Sequence, residues 1–212
     1  PTRRSSDLLD LATINMMRGR SEGVAPLNSV RRQISAATGL TALAPYPNWF
    51  EFGLGLRHPE SLVNFVAAYG THPAVTGATT VAAKRAAAQD LVSLNAAVFP
   101  DAFDFMFGVL SWSNANTGLE DVDLWVGGNA EKPSAFGGLL GSTSNYIFET
   151  LMEQLQNGDR LYYVPRTKGM NLFSLLEQNS LSQMMMRNSD LDGMAEDPFS
   201  RPALVIRAAN LG

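Results

Sequence analysis

The sequence predicts a mainly α-helical protein with few or no strands, and three observations carry that expectation. Strand-like alternation of apolar and polar residues is nearly absent. A helical stripe joins Leu8, Leu11, Ala12, Asn15 and Arg18, with Ile14, Met16 and Met17 beside it. An alanine-rich run ending near Ala97 has the strongest intrinsic helix propensity in the chain.

The first helix should stop in the Gly19–Gly23 region, and a loop with Pro26 follows. Leu27 to Ala37 reads as a second helix closed by Gly39, because glycine takes the left-handed cap conformation without strain. The Pro45–Pro47 segment feeds a short aromatic helix around Trp49, Phe50 and Phe52. Pro59 suits a first helical turn and opens Ser61 to Tyr69. Thr79 is the expected cap of the alanine-rich helix. Residues 111–120 read as a polar loop, and Val122–Val126 as a short apolar run ended by a tight turn at Gly127-Gly128. Ser142 or Thr143 then caps a long amphipathic helix through Gln156, with Asn157-Gly158 expected as its left-handed end. Two shorter helices, about 171–177 and 179–187, precede a turn-rich tail over 191–212.

At 212 residues, with 45% hydrophobic and 17% charged, the chain can bury the core of one domain or form a large piece of a bigger one. Sixteen basic against twenty acidic residues, with no basic cluster, make nucleic acid an unexpected partner. No run reaches the roughly 18 apolar residues of a membrane span. With no cysteine, disulfides, zinc-thiolate clusters, thiol nucleophiles and iron–sulfur centres are excluded. With two histidines, His58 and His72, the chain alone cannot build a histidine-rich metal site.

Asn15 is the most informative residue. An amide on an apolar stripe is costly unless it finds a hydrogen-bond partner, and the plainer alternative is a helix-end amide meeting solvent or backbone. His58 and His72 each adjoin a proline and lack metal-ligand spacing, so both read as loop-packing or surface residues. The Gly137–Gly141 run lacks the lysine of a phosphate loop and reads as the lead-in to a helix. Asn188, Asp190, Asp192, Gly193 and Glu196 follow the spacing of a calcium loop, but Phe199 stands where its bidentate glutamate belongs, so a solvated acidic turn is the better reading. Met184–Met186 reads as core filler. No Ser-His-Asp arrangement is suggested.

Three blocks in order, DLATINMMRGRSEG, VDLWVGGNAEKP and GGLLGSTSNYIFETLMEQLQNGDRLYY, resemble the animal-type haem peroxidases over about residues 9–190. The stretch between the first two is similar to the large bacterial secreted branch, whose members often carry calcium-binding repeats. The resemblance implies the C-terminal portion of a helical peroxidase domain. Haem is then the cofactor of the full-length parent, with calcium a further one, and hydrogen peroxide and a small organic or halide donor are the substrates. The distal histidine, distal arginine and proximal histidine would all lie upstream, in the N-terminal part of the same domain, so no catalytic residue is expected here. Residues 1–8 read as a non-native leader and the chain as a C-terminal piece. By resemblance, Asn15 accepts a hydrogen bond from the ring N–H of the proximal histidine. Arg18, one turn on, either neutralises a haem propionate or forms a structural ion pair. Ser21-Glu22-Gly23 departs from the family's Asp-His-Gly, which puts any role of those residues in doubt. The rival expectation is a helical scaffold or interaction module that keeps the peroxidase fold without haem, and an extracellular location follows from resemblance alone.

Overall fold

The computed structural model describes residues 10–133 and 138–199; the expected leader over 1–8, Leu8 of the first stripe and the end of the tail, 200–212, lie outside them. The described residues form twelve α-helices and no strand, with isolated bridge residues that include the pair Leu56 and Glu131. The chain divides into two compact units, one of residues 1–132 with 141–143, the other of 133–140 with 144–212.

The first unit holds α1 (Leu11–Ser21), α2 (Leu27–Thr38), α3 (Trp49–Gly55), α4 (Leu62–Tyr69), α5 (Pro73–Thr76), α6 (Val81–Val92), α7 (Ala102–Phe107) and α8 (Leu124–Ala130). Its core packs Trp49 and Phe52 of α3 against Phe65 and Val66 of α4, Leu91 of α6, and Phe105 and Met106 of α7. Aromatic rings meet there edge to face, Phe52 lying 5.0 Å from Phe65 and 6.0 Å from Trp49 between centroids, which suits their opposed edge and face charge. The Trp49 indole N–H donates to the Thr117 carbonyl at 3.0 Å. That bond explains why 111–120 is not simply a polar loop: it folds as short 3-10 turns, and Thr117 and Leu119 are buried.

Local chemistry sets most helix ends. Asp10 caps α1 by accepting from the Ala12 and Thr13 N–H groups, and Gly39 closes α2 at φ +73°. The cap of α6 is Thr80, not Thr79, since its hydroxyl accepts from Ala83 N–H at 3.1 Å. That helix also stops at Val92, short of Ala97, because Leu94 turns into the left-handed region at φ +55°. Gly127 and Gly128 do not turn; they lie inside α8, where a Cβ on Gly127 would stand 2.8 Å from Leu27 Cδ2 and 2.9 Å from Val122 Cγ1. Glycine is therefore needed for helix-to-helix approach, and the cost in helix propensity is offset by closer packing of α8 on α2.

The second unit holds most of α9 (Ser142–Gly158), with α10 (Tyr163–Thr167), α11 (Leu172–Glu177) and α12 (Leu181–Arg187). Gly158 lies within α9 and does not adopt positive φ, so the expected left-handed end is not formed. Among the described residues of this unit only Thr167 and Ser182 are buried. Met184 and Met185 are exposed, which overturns the reading of 184–186 as core filler: no apolar core forms among the described residues of this unit for them to fill. Phe148, Leu151, Met152 and Leu155 likewise leave the apolar face of α9 exposed.

Candidate functional site

Asn15 and Arg18 sit one turn apart on α1, which buries none of its residues. Asn15 is half-buried and its side chain bonds to no described residue; Arg18 is exposed and forms no ion pair among them. Both polar groups are therefore available to something other than the described chain. The arginine of α1 that does pair is Arg20. Its Nε and Nη2 donate to the two Asp123 oxygens at 2.9 and 2.6 Å, and the Tyr69 hydroxyl donates to the same carboxylate at 2.6 Å. Asp123, just before α8, thus ties the end of α1 to the end of α4. The bonds from Arg20 hold its carboxyl below the ordinary value against the effect of burial, and burial followed by the bond to Asp123 pushes the Tyr69 phenol up to about 12.

A cleft of about 420 Å³ opens beside this cluster, lined by Met16, Asn64, Phe65, Ala68, Tyr69 and Val126 among others. Its walls come from α1, α4 and α8.

A second cluster centres on the buried Arg31, Glu131 and Thr143. Arg31 of α2 donates from Nη1 to Glu131 at 2.9 Å, Ser142 at 3.1 Å and Thr143 at 2.8 Å, and from Nε and Nη2 to the Ala44 and Ala42 carbonyls. Glu131 also accepts from the Tyr46 hydroxyl at 3.0 Å and from the Thr143 N–H and hydroxyl at 2.8 and 2.7 Å. The Tyr46 ring faces the guanidinium at 4.2 Å. Gly141 is required, since a Cβ there would come within 2.3 Å of Glu131 Cβ. Nearby, buried Asn28 accepts from Tyr46 N–H and donates to Tyr46 O and Glu120, so its amide is satisfied on both ends. Neither Asn28 nor Arg31 stood out in the sequence. The available signal was a polar residue on the inward face of α2, next to Leu27.

Each histidine lies beside a carboxylate. His72 is buried; Nδ1 accepts from Ala74 N–H and so Nε2 carries the proton, which it donates toward Asp101 at 3.3 Å. Its ring stacks on Trp112 at 5.3 Å, as expected of a packing histidine. His58 is exposed beside Glu60 at 3.4 Å. Both have carboxylate partners: Asp101 is distant in the chain from His72, and Glu60 lies two residues after His58, across Pro59. Among the described residues no group of three or more His, Cys, Asp or Glu side chains could hold a metal ion, and Asn188, Asp190 and Glu196 stand exposed in the turns after α12. The 138–141 segment leads into α9 as expected.

Burial works against the Asp101 carboxylate, but hydrogen bonds from Trp112 and His72 outweigh it and hold the carboxyl below its ordinary value. Asp101 and Asp123 are therefore both depressed relative to an unfolded value of about 3.9. A depressed carboxyl stabilises the fold fully above the unfolded value and loses that contribution as pH falls through the folded one. The urea midpoint should stay level down to about pH 5 and decline below it, and more gently in a chain carrying Asp101→Asn and Asp123→Asn. An acid decline as steep as wild type in the double variant would assign the effect to other carboxyls.

The two sequence blocks VDLWVGGNAEKP and GGLLGSTSN meet in space at Glu131 and Thr143, which gives their residue types a common physical cause. Residues 113–199 match the sequence model of the family described as animal haem peroxidase. Over those residues the chain is similar to the animal haem peroxidases. That segment begins after α7 and so includes Asp123, Glu131 and Thr143 but not Asn15 or Arg18. The helical, strand-free architecture of the described residues is consistent with the peroxidase fold. No curated protein and no solved structure matches the chain.

Proposed function

We propose that this chain forms the proximal-side support of a haem peroxidase, in which hydrogen peroxide is reduced and a small organic or halide donor is oxidised. The observation that carries the reading is the peroxidase segment at 113–199, joined through Asp123 and Arg20 to a helix that offers an amide and a guanidinium without partners of their own. The residues present fit a supporting role and supply no axial ligand. Haem, when bound, supplies peroxide reduction and the oxidising equivalents. Asn15 would accept the ring N–H of a histidine contributed by an upstream part of the domain and so fix which ring nitrogen carries the proton. Arg18 neutralises a propionate by charge-assisted hydrogen bonds. The Arg20–Asp123–Tyr69 cluster orients α1 for both tasks. An extracellular bacterial parent and calcium elsewhere in it belong to the same proposal and rest on the sequence resemblance.

The rival reading is a helical scaffold that keeps the peroxidase fold without haem. Haem titration separates the possibilities. The 212-residue chain alone should bind haem weakly and give no histidine-coordinated spectrum, because the axial ligand comes from elsewhere. The haem-supplied protein that includes the upstream part should show a Soret band and peroxide-dependent oxidation of a phenolic dye. Absence of both in that sample would establish the scaffold reading, and a stable histidine-ligated spectrum of the chain alone would reassign His58 or His72.

A further inference from the structure

We propose that Tyr69 is a redox-active tyrosine with Asp123 as its proton acceptor. The proposal rests on the peroxidase reading only for the natural source of its oxidant, oxidised haem.

The geometry assigns the role to Tyr69 over Trp49, Tyr46 and Tyr163. Its hydroxyl lies 2.6 Å from a carboxylate that Arg20 grips with two bonds and keeps ionised. Its ring is the outer end of an aromatic chain that runs through Phe65 (6.4 Å) and Phe52 (5.0 Å) to Trp49 (6.0 Å) and Tyr46 (5.3 Å) in the core. A small reductant reaches the ring through the apolar cleft that Tyr69 lines. Trp49 has no such outlet, since its N–H faces a backbone carbonyl, which is a poor base. Tyr46 faces Glu131, but that carboxylate is buried and already accepts from Arg31 and Thr143, so protonating it breaks the network that holds α2 and α8. Tyr163 bonds to Glu177 but joins only Tyr162 and Phe173.

In the forward step one electron leaves the Tyr69 phenol for the oxidant while its O–H bond breaks and the proton passes to Asp123. The products are a neutral tyrosyl radical, a protonated carboxyl and an oxidant reduced by one electron. Even a carboxylate stabilised by Arg20 takes this proton, because an oxidised phenol is a far stronger acid than a carboxylic acid. A phenolic or other one-electron reductant in the cleft reverses the step, and Asp123 returns the proton.

The test needs no haem, so its failure is separable from failure of the peroxidase reading. The full chain with Tyr146, Tyr162 and Tyr163 changed to phenylalanine retains Tyr46 and Tyr69 as its tyrosines. Oxidation by a flash-generated ruthenium(III) polypyridyl complex should give a tyrosyl radical signal in electron paramagnetic resonance. Tyr69→Phe, which removes only the hydroxyl, should abolish most of that signal. Asp123→Asn, with native circular dichroism as the check on folding, should slow radical formation roughly 100-fold, as loss of a positioned base does. A signal that survives Tyr69→Phe overturns the proposal outright. Formation at an unchanged rate in folded Asp123→Asn removes Asp123 from it.

Discussion

Arg31→Ala should destabilise the first unit by about 3–5 kcal/mol, the usual cost of stranding one partner of a buried ion pair. The guanidinium and Glu131 are 4% and 2% exposed, so little water can replace what is lost. Removing Arg31 leaves two backbone carbonyls, two hydroxyls and a carboxylate short of a donor. Urea unfolding followed by circular dichroism measures the loss, and a cycle with Glu131→Gln isolates the pair from its neighbours. A loss below about 1 kcal/mol would mean that the pair is solvated in solution and that the cluster does not join α2 to α8.

The second large effect is functional. In the haem-loaded parent, Asn15→Ala should lower peroxide turnover roughly 10- to 100-fold, as loss of a ligand's hydrogen-bond partner commonly does. Helix α1 should survive, because alanine is the better helix former and the Asn15 side chain holds no bond to another described residue. Unchanged turnover would make Asn15 a surface amide of α1.

The fold was legible where local chemistry decides it. The Gly39 cap, Pro59 at a first turn and the aromatic run at Trp49 gave helices close to those observed, because each acts within one or two turns of chain. What depends on distant partners was not legible. Gly127-Gly128 reads as a turn locally, and only the nearness of Leu27, a hundred residues earlier, makes it a helix interior. Asp101 and His72, or Arg20 and Asp123, give no sign of each other in spacing. For α5, α7 and α10 the reason differs: they are four to six residues long, too short for an apolar helical pattern to recur. Met184–Met186 misled because apolar composition announces burial, whereas the second unit assembles no apolar core among its described residues.

For the candidate site, block resemblance named Asn15 and Arg18 but passed over Arg20, which carries the tie to Asp123. The difference has a physical basis. An amide on an apolar stripe is conspicuous in sequence, while one more exposed arginine at a helix end is ordinary until its carboxylate is located.

The Fe(III)/Fe(II) midpoint potential of the haem-loaded parent, compared among Asn15, Asn15→Ala and Asn15→Asp, tests the central claim most directly. Loss of the acceptor weakens the imidazole as a donor and should raise the potential. A carboxylate strengthens imidazolate character, stabilises the ferric state and should lower it. Opposite shifts of the two variants about the wild-type value are the predicted result; equal potentials in all three proteins would contradict it.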